Sequence, residues 1–117
     1  MRIKILLSLF ISMFLIFSFN AQTPPLNIQQ ISHVPTTSFI VPSELNDIWG
    51  WVDNQGKEYA IIGTNDGTSI FDLSNPYSPQ EVFFEPGMNS VWRDVKTYGN
   101  YAYVTTEAMN GLLIIDL

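Results

Sequence analysis

Two stretches of this chain repeat each other, and the repeat constrains the fold more than any other feature. Glu58-Tyr59-Ala60-Ile61-Ile62-Gly63-Thr64 lines up with Asn100-Tyr101-Ala102-Tyr103-Val104-Thr105-Thr106 at an offset of 42. Gly67-Thr68-Ser69-Ile70-Phe71-Asp72-Leu73 lines up with Gly111-Leu112-Leu113-Ile114-Ile115-Asp116-Leu117 at an offset of 44. Asn46-Asp47-Ile48 matches Arg93-Asp94-Val95 more loosely, at 47. Each unit is made of short β-branched and aromatic runs between turn sequences such as Asp53-Asn54-Gln55-Gly56, Asn65-Asp66-Gly67 and Gly99-Asn100. No run after residue 25 places apolar residues at helical spacing. Units of four strands with a period of ~40–45 residues are the signature of propeller blades. A β-sandwich with evenly spaced strands is the competing architecture. The matched endings Asp72-Leu73 and Asp116-Leu117 favour the repeat.

The expected fold is therefore all-β: a partial β-propeller of about two four-stranded blades, incomplete at the C-terminus. In the first unit, residues 46–85, strands are expected over 47–52, 58–64, 68–73 and 81–84. In the second, residues 91–117, they are expected over 91–98, 101–106 and 111–117. Residues 28–34 precede the first unit as 81–85 precede the second, so Ile28 to Val34 is expected as the outer strand of a blade. The second unit stops where its fourth strand would begin. A propeller closes with ~4 blades or more, and repeat arrays bury their cores by stacking neighbours. Further blades or self-association are expected to cover the open edges, and residues 22–117 alone are expected to be aggregation-prone or poorly folded.

The first residues form a different kind of segment. Arg2 and Lys4 precede an apolar run from Ile5 to about Phe19, and Ala21 precedes a polar stretch closed by Pro24-Pro25. Basic start, apolar middle and small residue before a polar region make a secretory signal, residues 1–21. The run is shorter than the ~20 residues of a membrane span, so no stable membrane insertion is expected once it is removed. The chain has no cysteine. That excludes a lipid anchor on cysteine and a disulfide, and it leaves stability to core burial, to calcium or to further chain.

Without the signal, three cations (Lys57, Arg93, Lys96) face eleven carboxylates, a net charge of −8. Nucleic-acid partners need clustered Lys and Arg, so that class is excluded, and anionic lipid is disfavoured for the same reason. His33 is the single histidine, which with no cysteine argues against a zinc site. No nucleophile elbow, P-loop or dinucleotide fingerprint is present. A pair such as Asp94 and Glu107 is too common in an acidic chain to signal glycoside chemistry.

The candidate ligand or channel-facing residues lie in the first strand of each unit: Asp47, Trp49 and Trp51, then Trp92, Arg93 and Asp94. A tryptophan face can stack on a sugar or peptide while its N–H donates; packing between blades is the plainer role. Asp47 and Asp94 recur at matching positions. A ring of such carboxylates could take a cation, but calcium asks for about six to eight oxygens, and a turn-capping role is the plainer one. Arg93 can meet an anionic ligand or a carboxylate of a neighbouring blade. Asp72 and Asp116 read as turn residues.

Three strings carry a resemblance: Asn46-Asp47-Ile48-Trp49-Gly50-Trp51, Gly67-Thr68-Ser69-Ile70-Phe71-Asp72-Leu73-Ser74-Asn75-Pro76, and Ser90-Val91-Trp92-Arg93-Asp94-Val95-Lys96-Thr97-Tyr98-Gly99-Asn100-Tyr101-Ala102-Tyr103-Val104. They resemble the choice-of-anchor B family, exported bacterial proteins built from LVIVD-type repeats. The resemblance spans roughly residues 26–117. It implies a propeller of several blades, a secreted or cell-surface location, and no assigned catalytic residues. The expected function is non-catalytic binding of a protein or glycan. A glycoside-acting hydrolase or lyase completed by further blades, and a structural role in adhesion, are the alternatives.

Overall fold

Alternation along a strand sorts its side chains onto two faces of a sheet, and the repeat does this twice. The computed structural model describes residues 27–109 and 111–117; the segment read as a signal, 1–21, lies outside them. The first sheet has the order β1-β2-β3-β4, with β1 Leu45–Val52, β2 Glu58–Thr64, β3 Gly67–Asp72 and β4 Gln80–Pro86. The second has the order β5-β6-β7, with β5 Arg93–Tyr98, β6 Tyr101–Thr106 and β7 Leu112–Asp116. Every pairing is antiparallel. The fold is all-β, two blade-like sheets that do not close into a ring.

Turn chemistry explains the connections. Asp53 accepts the N–H groups of Gln55 and Lys57 on one carboxylate oxygen, and Gly56 takes φ 81°, a conformation that costs glycine little. Gly99 does the same, at φ 58°, in the two-residue turn joining β5 to β6.

The registers superpose the two units residue by residue. Trp49 opposes Ile61 as Lys96 opposes Tyr103, and Ile61 opposes Ile70 as Tyr103 opposes Ile114. The main core lies between the sheets: Ile61 and Ile70 pack against Val95, Ala102 and Val104, flanked by Trp51, Tyr59, Leu113 and Ile115. The opposite face of the first sheet is covered by the chain before β1. There Phe39 packs on Ala60 and Phe71, with ring centroids 4.8 Å apart, and Val34 and Leu73 join the cluster.

Residues 28–34 correct the sequence reading. They were expected as an outer strand and carry no regular structure; a short 3-10 turn, Thr36–Ser38, follows. A strand needs an edge to bond with. The sheet that an outer strand at this position would join precedes the first unit, and the described residues hold no such sheet.

Candidate functional site

The first-strand residues singled out in the sequence build the joint between the two sheets. β1 carries an irregularity between Leu45 and Ile48, which aims Asn46 and Asp47 at the second sheet. The Asp47 carboxylate accepts the Val95 N–H at 3.0 Å and lies 3.4 Å from the Lys96 ammonium. The Val95 N–H is the main reason its pKa falls below the usual range; partial burial opposes this and the Lys96 charge assists. Trp49 donates its indole N–H to Thr97 Oγ1 at 3.0 Å, and Lys96 Nζ sits 4.1 Å from the centre of its ring. Trp51 donates to the Gly99 carbonyl at 3.1 Å and lies 5.3 Å from the Tyr59 ring. Asn46 donates to the Ser90 carbonyl at 3.1 Å.

Arg93 enters the joint from the other side. It is only 3 % exposed, so its guanidinium is withdrawn from any ligand. Its Nε donates to Thr64 O at 2.9 Å and a terminal nitrogen donates to Met88 O at 2.8 Å. The sequence suggested a carboxylate partner; the bonds go to backbone carbonyls instead. Burial lowers its pKa and the charge of Asp66 opposes that, but an arginine stays protonated in either case. Two glycines make room for it. A Cβ at Gly63 would lie 2.6 Å from the Arg93 carbonyl oxygen, and one at Gly87 would lie 2.9 Å from the guanidinium. Asp66, read as a plain turn residue, ties this corner together. It accepts from Asn89 at 2.9 Å and Ser43 at 2.8 Å, and these bonds, Asn89 first, lower its pKa.

The second sheet carries the corresponding positions on a face that the described residues leave exposed. By the shared register, Asp94 corresponds to Asp47, Lys96 to Trp49, Tyr98 to Trp51, Tyr101 to Tyr59, Tyr103 to Ile61 and Ile114 to Ile70. In the first sheet Ile61 and Ile70 are buried. In the second, Tyr98 is 81 % exposed, and Leu112 and Ile114 are more than half exposed. The outward face of β5–β7 is thus an aromatic and aliphatic surface with two carboxylates, Asp94 on β5 and Asp116 on β7, at its rim. This surface is the candidate functional site.

Of the six residues picked from sequence, the structure brings Asp47, Trp49 and Trp51 together at the joint. Arg93 is buried behind them. Trp92 and Asp94 share a shallow depression with Thr105, Thr106 and Glu107. Tyr98, Tyr101 and Tyr103 lie near the tryptophans in the sequence, but only their register against the first sheet marks them as a surface. Among the described residues, no three His, Cys, Asp or Glu side chains are placed to hold a metal ion.

Asp72, by contrast, has a turn role. It pairs with Lys57 at 2.8 Å and accepts the Ser74 N–H at 2.8 Å. The Lys57 bond first, then Ser74, lowers its pKa from 3.8 to about 2. The folded value lies below the unfolded one, so this contribution is complete above about pH 4 and is lost as pH falls toward 2. The urea midpoint is expected to drop across that window in the parent chain and to drop less in Asp72→Asn. Equal acid slopes in the two proteins would refute it.

Comparison with known proteins agrees with this geometry. Residues 56–84 and 92–117 match the LVIVD repeat family. The first match covers β2, β3 and most of β4, and the second covers β5 to β7. No curated protein and no solved structure matches the chain. The chain is accordingly similar to the LVIVD repeat family over one segment in each of its two sheets.

Proposed function

We propose that this is an exported, non-catalytic, propeller-type repeat protein of the choice-of-anchor B group, which binds another protein outside the cell or at its surface. The observation that carries the reading is the outward face of β5–β7. It repeats, position for position, a face that the first sheet already uses to hold a protein surface. The partner surface seen there is small and aliphatic (Val95, Ala102, Val104), with a backbone N–H presented to a carboxylate. A partner with that chemistry fits the free copy, where Asp94 supplies the carboxylate and Tyr101, Tyr103 and Ile114 supply the apolar area. Aromatic residues with a polar tip are enriched at such contacts. Arg2, Lys4 and the apolar run after them support export.

The test is cross-linking from Lys96, at the rim of this face, with the extracellular protein fraction of the source cells. Cross-linked partner peptides are expected, and Tyr103→Glu is expected to reduce them about tenfold, the loss that ~1.4 kcal/mol of binding would give. Tyr77→Ala, on the exposed loop between β3 and β4 of the first sheet, leaves them unchanged. Cross-links that survive Tyr103→Glu would overturn the reading. Saccharide binding that requires Trp51 would favour the glycan or glycoside-acting alternative.

A further inference from the structure

A short strap crosses the face of the first sheet that points away from the second. It runs from Val34 to Val41, contains the 3-10 turn Thr36–Ser38, and sets one large side chain, Phe39, into the sheet. Phe39 is buried against Ala60 and Phe71, with Leu73 beside them. The next residue, Ile40, is 60 % exposed and donates its N–H to Glu81 Oε2. Among the described residues this is the one hydrogen bond from residues 34–41 to the sheet; the others close within the strap, on the carbonyls of Pro35 and Thr36. A segment held by so few contacts opens locally at little cost.

The strap also leaves its seat incompletely paired. Ser69 stands two residues before Phe71 on β3 and so shares its face, and β4 places Glu81 opposite Phe71. Ser69 is fully buried, and its hydroxyl has no hydrogen-bond partner among the described residues. Glu81 Oε1 is likewise shielded from solvent and without a partner there. Buried polar atoms left unpaired cost stability, so a segment that pairs them holds the seat better than the strap does.

We propose that the strap is an autoinhibitory stand-in, and that its seat takes an extended segment of a partner protein in which an aromatic residue is followed by a lysine or arginine. The aromatic ring replaces Phe39 between Ala60 and Phe71. The next main-chain N–H replaces that of Ile40 on Glu81 Oε2, and the cation adds a bond to Glu81 Oε1 that isoleucine cannot make. The acidic balance of the chain, three cations against eleven carboxylates after residue 21, favours a basic segment. The strap competes from within the chain at an effective concentration on the order of mM. The seat is therefore mostly closed, and the affinity for an outside segment falls by the open fraction. This seat is separate from the outward face of β5–β7, and either can fail without the other.

The probe is a fluorescein-labelled peptide with the strap's own sequence, residues 34–41, titrated into the full chain and read by anisotropy. Binding to Phe39→Ala is expected to be about tenfold tighter than to the parent chain, because the strap no longer fills the pocket. A peptide with Ile40→Lys is expected to bind about threefold tighter again, the scale of a partly exposed ion pair, and to lose that gain when Glu81→Gln is added to the chain. Phe39→Leu, which keeps an apolar side chain at the site, gives the same ordering if Phe39→Ala does not fold. Absent or equal binding to the parent and these variants would overturn autoinhibition. Binding that survives replacement of the peptide's own phenylalanine by alanine would overturn the seat. A lysine peptide that binds no more tightly than the strap sequence would overturn the basic partner.

Discussion

Replacing Arg93 with alanine is expected to destabilise the joint between the sheets by about 2 kcal/mol, because one buried and one partly buried carbonyl lose a charged donor at once. The carbonyls are those of Thr64 and Met88, and the guanidinium is almost fully enclosed. Lysine is not an adequate substitute. Its ammonium is a compact point charge without the planar fork of donors that reaches both carbonyls here, so Arg93→Lys should recover less than half of the loss. Trp49 and Trp51 both hydrogen-bond across the joint, so tryptophan fluorescence during urea unfolding reads it directly. A change smaller than about 0.5 kcal/mol, the range of ordinary surface substitutions, would show that Arg93 does not hold the sheets.

Ile61→Ala is expected to cost about 3 kcal/mol, within the range for emptying a packed aliphatic site. Ile61 is fully buried and sits where both sheets meet, against Val95, Ala102 and Val104. Tyr103→Ala removes a larger side chain at the corresponding position of the second unit, yet it should cost under about 1 kcal/mol, because that side chain is only partly covered. The contrast between two register-equivalent positions is the informative quantity. Equal losses would mean that the outward face of the second sheet is not free in solution. Urea midpoints of the two variants settle it.

Much of the fold could be read from the residues. β2 and β6 occupy the expected ranges, 58–64 and 101–106, because turn residues close both ends of each run. β1 starts earlier than expected, at Leu45 instead of Asp47, because irregular pairing carries it past the apolar stretch. The strand expected at 28–34 is absent, since pattern alone cannot supply the neighbour a strand must bond to. The joint was half legible. Matching aspartates and tryptophans marked the right strands, but the sequence does not say whether a side chain meets a ligand or a backbone. Arg93 shows the difference: the space for it is made by Gly63 and Gly87, and glycines read in a sequence as turns.

Most of the joint's polar contacts have a common form. Asn46, Asp47, Trp51 and Arg93 each bond to a main-chain atom across it, at Ser90, Val95, Gly99 and Thr64. Main-chain groups are the same whatever the sequence. A sheet of the right curvature can thus take this seat without matched side chains of its own. Seen as an evolutionary device, such a seam lets a unit be duplicated, exchanged or diverged on its free surfaces while the connection to its neighbour stays intact.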